Sequence, residues 1–394
     1  MRRLDLMILV TEQRWNEVKE HFQNDPDDAA VMFDPLKGRT KLHWLCSIGA
    51  TPTDLIDLVA SLYPKAITLP DLRYGDTPLH VQCRNAQVTT RKVICMLEHL
   101  KAYESEQERQ RRNSDQQKDA ESSRSSTSLH FPPQLPRHRR SGTESNAILI
   151  RNQFGGTALH SACNHNAYFD VIEALVNSNP NLVRMATFDG IPPIAALYTS
   201  YIQTIPGYMA VAKTIKGETI DTAGHFERFW QKMTFLATAD RRNENVPDPS
   251  RLVLHGLLRS SHLQVNLYKL PLKREPQLAG VQDEEGNYAL HLLLDRRPFR
   301  LKERDAIEST IEANSSAVII RNNTGDTPLL IAIRNKVPWG NGMDLLIDTA
   351  PTTIQQREVE TNLFPFQFAA AQGGPNALDT TFELLTIQPD LLLV

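Results

Sequence analysis

Three histidines each stand three residues ahead of a cysteine: His43 and Cys46, His80 and Cys83, His160 and Cys163. At i and i+3 on a helix the two side chains share a face, so each pair offers an imidazole nitrogen and a thiolate to one zinc ion. A structural zinc needs four converging ligands, and only the first two pairs fall in neighbouring segments, because a long polar insertion precedes the third. With Cys95 these are the only cysteines; none sits in a CxxC pair, a usage that suits reduced thiols in the cytoplasm or nucleus. No metal or cofactor is expected. The carboxylates of Asp283, Glu284 and Glu285 cluster where a turn is predicted, and water screening there leaves them without the raised pKa of a general acid. No GxxxxGK loop, strand-bound GxGxxG, HExxH, GxSxG or kinase signature occurs, so no enzyme is expected.

The elements that hold these residues belong to a chain of 394 residues, too long for one ordinary core. Hydrophobic residues at 41% and charged residues at 23% suffice for a buried interior over most of that length. A net charge of −3 gives no general attraction to nucleic acid or to an acidic membrane surface. The first fifteen residues, MRRLDLMILVTEQRW, have an apolar run, but Asp5 interrupts it and no small-residue cleavage site follows. No apolar run is long enough to insert into a membrane.

One phrase recurs: GRTKLH at Gly38, GDTPLH at Gly75, GGTALH at Gly155, GIPPIA at Gly190, GNYALH at Gly286, GDTPLL at Gly325 and NLFPFQ at Asn362. Glycine supplies the positive φ of a tight turn, Thr77, Thr157 or Thr327 can cap a helix, and Pro78 or Pro328 fits its first position. A second marker, at Pro26, Pro64, Pro180, Pro276, Pro351 and Pro389, closes a second, amphipathic helix such as Leu55, Ile56, Leu58, Val59 and Leu62. Pro276 has no glycine phrase upstream, so a cryptic unit is predicted at Pro249 to Leu258, where Leu254 and His255 echo the Leu-His pair. Eight units result.

The GxTPLH phrase, the two-helix unit and a period in the middle thirties resemble the ankyrin repeat, and the Pro-marked variant is similar to expanded ankyrin families of unicellular algae. The resemblance implies an all-α, ankyrin-type helix-turn-helix solenoid of about eight repeats with two insertions. It also implies that each phrase histidine steadies its turn through the Thr40, Thr77 or Thr157 hydroxyl, with the cysteine a small buried residue. In such a fold a protein partner sits on the concave surface of turn tips and inner helices. Carried across position by position, the contact residues are Arg73, Tyr74, Arg84 and Asn85; Phe154, Asn164 and His165; Phe188; Glu284, Asp295 and Arg296; and Thr324, Arg334 and Asn335. The expected function is a non-enzymatic scaffold or adaptor, cytoplasmic or nuclear.

Repeats 1 and 2 are expected within residues 1–100, repeats 3 and 4 within 146–202, and repeats 5 to 8 within 249–394. Residues 101–145 carry abundant Ser, Arg and Glu with almost no aliphatic side chains and are predicted to be a disordered loop. Within it, Arg137 to Arg140 could serve nuclear import or nucleic-acid contact, which makes a nuclear regulator the alternative function; Ser141 suits a basic-directed kinase, and FPPQLPR suits polyproline recognition. Residues 203–248 are predicted to be a structured insertion. In it Phe226, Phe229, Trp230, Met233 and Leu236 form the buried stripe of an enlarged outer helix, after a loop at Pro206 to Gly224 and before a polar turn.

Overall fold

The computed structural model describes residues 3–124, 147–204, 224–239, 253–259, 265–295, 304–374 and 376–390. They form an all-α repeat fold, in two compact units that divide between Asp189 and Gly190. Among the described residues no helix is long and apolar enough to cross a membrane.

Unit 1 opens with α1 (Arg3–Thr11) and α2 (Trp15–Asn24), then a short antiparallel hairpin of β1 (Met32–Asp34) and β2 (Arg39–Thr40). Three helix pairs follow: α3 (Lys41–Ser47) with α4 (Thr53–Leu62), α5 (Pro78–Arg84) with α6 (Thr90–Arg124), and α7 (Ala158–Asn164) with α8 (Phe169–Ser178). Unit 2 contains five pairs: α9 (Pro193–Ile202) with α10 (His225–Thr238), α11 (Val253–Arg259) with α12 (Val265–Arg274), α13 (Ala289–Asp295) with α14 (Arg304–Ala313), α15 (Pro328–Arg334) with α16 (Met343–Thr349), and α17 (Pro365–Gln372) with α18 (Ala377–Ile387).

The first helix of most pairs has only seven residues, too few to persist alone in water. It survives by burial against its neighbours: α3, α5 and α7 pack in succession in unit 1, and α11, α13, α15 and α17 in unit 2. Its start is fixed locally. Thr40 Oγ1 accepts the His43 amide while the Thr40 amide donates to His43 Nδ1, and Thr77 with His80 and Thr157 with His160 repeat this capping box. The second helix buries an apolar stripe, Leu55, Ile56 and Val59 in α4 and Val171, Ile172 and Leu175 in α8, each residue contributing about 1.5–3 kcal/mol. Pro26, Pro64, Pro180, Pro276 and Pro351 then each open a 3-10 turn, where a missing amide costs nothing.

The predicted loop at 101–145 begins differently from the expectation. Helix α6 continues through its first 24 residues to Arg124. A scarcity of aliphatic side chains prevents burial but not helicity: Glu, Gln, Arg and Lys propagate a helix already nucleated by the buried Val93, Met96, Leu97 and Leu100, and Glu106 with Arg109 and Glu108 with Arg112 add exposed ion pairs. The chain re-enters at Ala147, whose amide donates to the Glu104 carboxylate, so the excursion leaves and returns at one place. Residues 125–146, with the Arg137 to Arg140 segment, the FPPQLPR stretch and Ser141, lie outside the described residues.

In unit 2, Phe226, Phe229, Trp230, Met233 and Leu236 are all buried in α10, and Phe229 stacks on Tyr201 of α9 with ring centroids 4.0 Å apart. Most of the loop predicted at Pro206 to Gly224 and the polar turn after α10 lie outside the described residues. A helix stands at Val253–Arg259, where the cryptic repeat is predicted.

Candidate protein-binding surface

In four of the turn phrases an Asp or Asn side chain holds the backbone. Asp71 Oδ1 accepts the amides of Tyr74 and Asp76, Asn152 Oδ1 those of Phe154 and Gly156, Asp283 Oδ1 those of Glu285 and Asn287, and Asn322 Oδ1 those of Thr324 and Asp326. A recurring Asp or Asn three or four residues before the glycine was the available signal. Burial opposes the Asp71 charge, but the two amides and the Arg39 guanidinium outweigh it, and its pKa lies below the ordinary carboxylate value.

Successive tips are then linked backbone to backbone. In unit 1 the Leu72 amide donates to the Lys37 carbonyl at 2.8 Å, Gln153 to Tyr74 at 2.8 Å and Phe188 to Phe154 at 3.0 Å; in unit 2, Asn323 donates to Glu285 at 2.9 Å. The turn glycines all take positive φ, and at Gly155 a Cβ would sit 2.5 Å from the Phe188 nitrogen, so only glycine permits that link. In the last repeat Asn362 takes the same backbone at φ 56°, which asparagine tolerates better than most residues.

This framework brings several of the predicted contact residues of unit 1 together. The Tyr74 ring carries the Arg73 guanidinium at 4.8 Å and that of Arg84 at 5.5 Å, with the Phe154 ring 6.3 Å away. Phe154 is 55% exposed and Phe188, on the next tip, 70%. Two residues absent from the sequence reading extend the row: Leu36 and Leu72, at 92% and 74% exposure. In unit 2 the tips at Gly286 and Gly325 expose Glu284, Glu285, Asn323 and Thr324, and the last tip exposes Val359 at 60%.

Other predicted residues hold the repeats together. Arg84 pairs at 2.5 Å with Asp76, whose side chain is fully buried, and Asn85 donates to the Cys46 carbonyl of the preceding inner helix. Unit 2 repeats the device: Arg334 forms a two-pronged pair with Asp326 at 2.6 and 2.7 Å, which raises the guanidinium pKa, and Asn335 donates to the Leu294 carbonyl and to Asp295. Thr324 caps its own turn through Asn322. His165, on the surface, has its Nδ1 on the Ser161 carbonyl; Asn164, Glu284 and Asp295 are exposed. Arg296 lies outside the described residues.

The histidines of the first two His-Cys pairs are occupied at both ring nitrogens. Nδ1 of His43 and His80 accepts from the capping threonine, while Nε2 donates to the Asp76 carbonyl at 2.9 Å and the Gly156 carbonyl at 3.1 Å respectively. Burial holds both imidazoles below the ordinary pKa and therefore neutral. All four thiols are buried; burial pushes those of Cys46 and Cys83 far up, and Cys46 donates to Met96 Sδ. The two pairs thus offer no free imidazole lone pair to a metal.

A family profile described as "Ankyrin repeat" matches residues 154–184, which span the third turn phrase and the pair α7 and α8. Among solved structures, the ankyrin repeat domain of Bcl-3, described as a unique member of the IkappaB protein family, matches with 15% identity and a TM-score of 0.31, over 75% of this chain and 95% of that one. A search of curated proteins finds no match.

Proposed function

Since this chain is an ankyrin-repeat protein, and such repeats are protein-interaction modules, we propose that it is a non-enzymatic scaffold or adaptor whose partner seats on the turn tips of unit 1. The observation that carries this reading is the row of Leu36, Leu72, Phe154 and Phe188, which the fold holds in water beside the Arg73–Tyr74 stack. A soluble surface seldom spends rigid aromatics this way without an occupant; aromatic and Arg side chains on a fixed backbone are the composition of binding hot spots. The tip ladder supports the reading further, because side chains on a hydrogen-bonded framework lose little freedom on binding. Arg84, Asn85, Arg334 and Asn335 act beneath the surface by holding the turns.

Site-specific photo-crosslinking in cells tests this. A photoreactive residue at position 188 is expected to capture a discrete protein that the same residue at position 284 does not. Tyr74→Ala, Phe154→Ala and Phe188→Ala combined should reduce capture from a probe at position 72 at least tenfold. Equal capture at 188 and 284 would place the partner elsewhere.

A further inference from the structure

Outside the turn tips, three side chains of metal-binding type converge between neighbouring outer helices. Asp57 lies on α4; Cys95 and His99 lie one turn apart on α6, at the i and i+4 positions that share a helix face. The Asp57 Oδ1 atom is 2.7 Å from His99 Nε2 and 3.8 Å from Cys95 Sγ, and one ligand atom from each of the three residues lies within 4.8 Å of the other two.

These distances suit a small tetrahedral cation. Zinc bonds of about 2.0–2.3 Å to nitrogen, oxygen and sulfur place ligand atoms roughly 3.3–3.8 Å apart. The sulfur-to-oxygen distance already lies in that range. The imidazole-to-carboxylate distance is that of a hydrogen bond and must widen by a fraction of an ångström, which the Asp57 side chain, 62% exposed, is free to allow. His99 is 20% exposed and Cys95 lies at the edge of the core, so a hydrated ion can reach all three.

The chemistry of the donors agrees. In the metal-free chain burial, followed by the Asp57 charge, pushes the Cys95 thiol up to about 12, and Glu98 adds to this while Arg91 opposes it. A divalent cation reverses that balance, because a coordinated thiol is deprotonated outright. The second cluster of such residues, His21, Asp25 and Asp28, differs in one decisive respect: the Lys41 ammonium already sits on the Asp28 carboxylate and its backbone carbonyl, filling the place of a cation.

We propose that Asp57, Cys95 and His99 form a zinc site that ties α4 to α6. The ion takes Nε2 of His99, a carboxylate oxygen of Asp57 and the Cys95 sulfur; the Nε2 proton that the Asp57 carboxylate accepts in the metal-free chain is given up, so that the imidazole keeps a proton on Nδ1 only. The thiol proton leaves to solvent, the hydrated ion releases all but one of its inner-shell waters, and that water keeps the fourth position. No electron moves. The bond network joins the outer helices of the first two repeats at the root of the long α6, so zinc fixes the base of the helix that leads into residues 125–146.

Cobalt and zinc titration of the full chain, after removal of metal by a chelator, decides the matter. The expected result is one Co2+ per chain with a thiolate-to-cobalt charge-transfer band, displaced by one equivalent of Zn2+. Cys95→Ser should abolish the band with Cys46, Cys83 and Cys163 intact, and Asp57→Asn and His99→Gln should each weaken zinc binding at least tenfold. Asp57→Asn alters an exposed side chain and leaves the core intact, so its result stands even if Cys95→Ser disturbs folding. A missing thiolate band in the wild type, a band that persists in Cys95→Ser, or full zinc affinity in Asp57→Asn would each overturn the site.

Discussion

His43 Nε2 donates to the backbone carbonyl of Asp76, the residue immediately before the capping Thr77 of the next repeat. His80 makes the same bond to Gly156, immediately before Thr157, and His255 to Asn287, immediately before Tyr288. His291 donates to Ile320 and also interacts with the backbone of Asp326, immediately before Thr327. In His43 and His80 one ring therefore caps its own helix through Nδ1 and fastens the following turn through Nε2. The His80 bond spans 76 residues of sequence, so the insertion is looped out while repeats 2 and 3 stack as neighbours.

His80→Leu removes both functions: the Thr77 amide loses its acceptor, and the Gly156 carbonyl keeps only the Asn152 amide. A loss of about 1–3 kcal/mol is expected from the buried Thr77 amide left without an acceptor, read as a fall in the urea midpoint. An unchanged midpoint would show that the turn needs no such fastening.

Stability should depend on pH with a definite sign. His43, His80, His255 and His291 are all held below the ordinary histidine pKa, chiefly by burial. Between the folded values and the unfolded value of about 6.5 the unfolded chain binds more protons. Stability is therefore complete above about pH 6.5 and is lost as pH falls towards the folded values, by up to about 1.4 kcal/mol per pH unit and histidine. Urea unfolding at about pH 7.5 and about pH 5.5 should show the lower midpoint at the acid end, with a shallower dependence in His80→Gln; a flat profile would contradict this.

Gly155→Ala should cost more than the roughly 1–2 kcal/mol of left-handed backbone, because its Cβ also meets the Phe188 amide. Gly224→Ala, at φ 70° with only the Arg228 guanidinium near, should cost the backbone strain alone. Comparable thermal shifts for the two would remove the tip ladder from the explanation.

Arg84→Met strands the Asp76 carboxylate. Asp76 Oδ2 has the guanidinium at 2.5 Å but no hydrogen bond of good geometry, so the attraction there is coulombic, while Oδ1 takes the Asn152 amide. Arg84 is about a third exposed, so the expected loss is about 2 kcal/mol, below the 3–5 of a fully buried pair. Adding Asp76→Asn should restore part of it; no restoration would argue against a charge effect.

Phe154→Ser and Phe188→Ser should leave stability within about 0.5 kcal/mol, as for other exposed positions. A larger loss in chemical denaturation would mean that these rings serve the fold, and the case for a binding row would fall with it.

The sequence by itself determined the repeat. Thr40, Thr77 and Thr157 cap helices through contacts three residues away, Gly155 and Asn362 set their own φ, and Pro64 or Pro180 opens a turn within its own segment. Such interactions close over a few bonds, so spacing alone reveals them. The length of α6 was misread for a related reason: composition reports what a segment can bury, whereas its helicity is inherited from the packed residues ahead of it. Only the tertiary structure decided which side chains meet across repeats. It placed Arg84 and Arg334 on buried carboxylates beneath their turns, set Tyr74 beside Phe154, and brought Asp57 of one outer helix to Cys95 and His99 of the next. Those partners are separated by tens of residues, and their meeting depends on how far one repeat is rotated and translated onto another, a quantity set by the packing of whole helices and carried by no single motif.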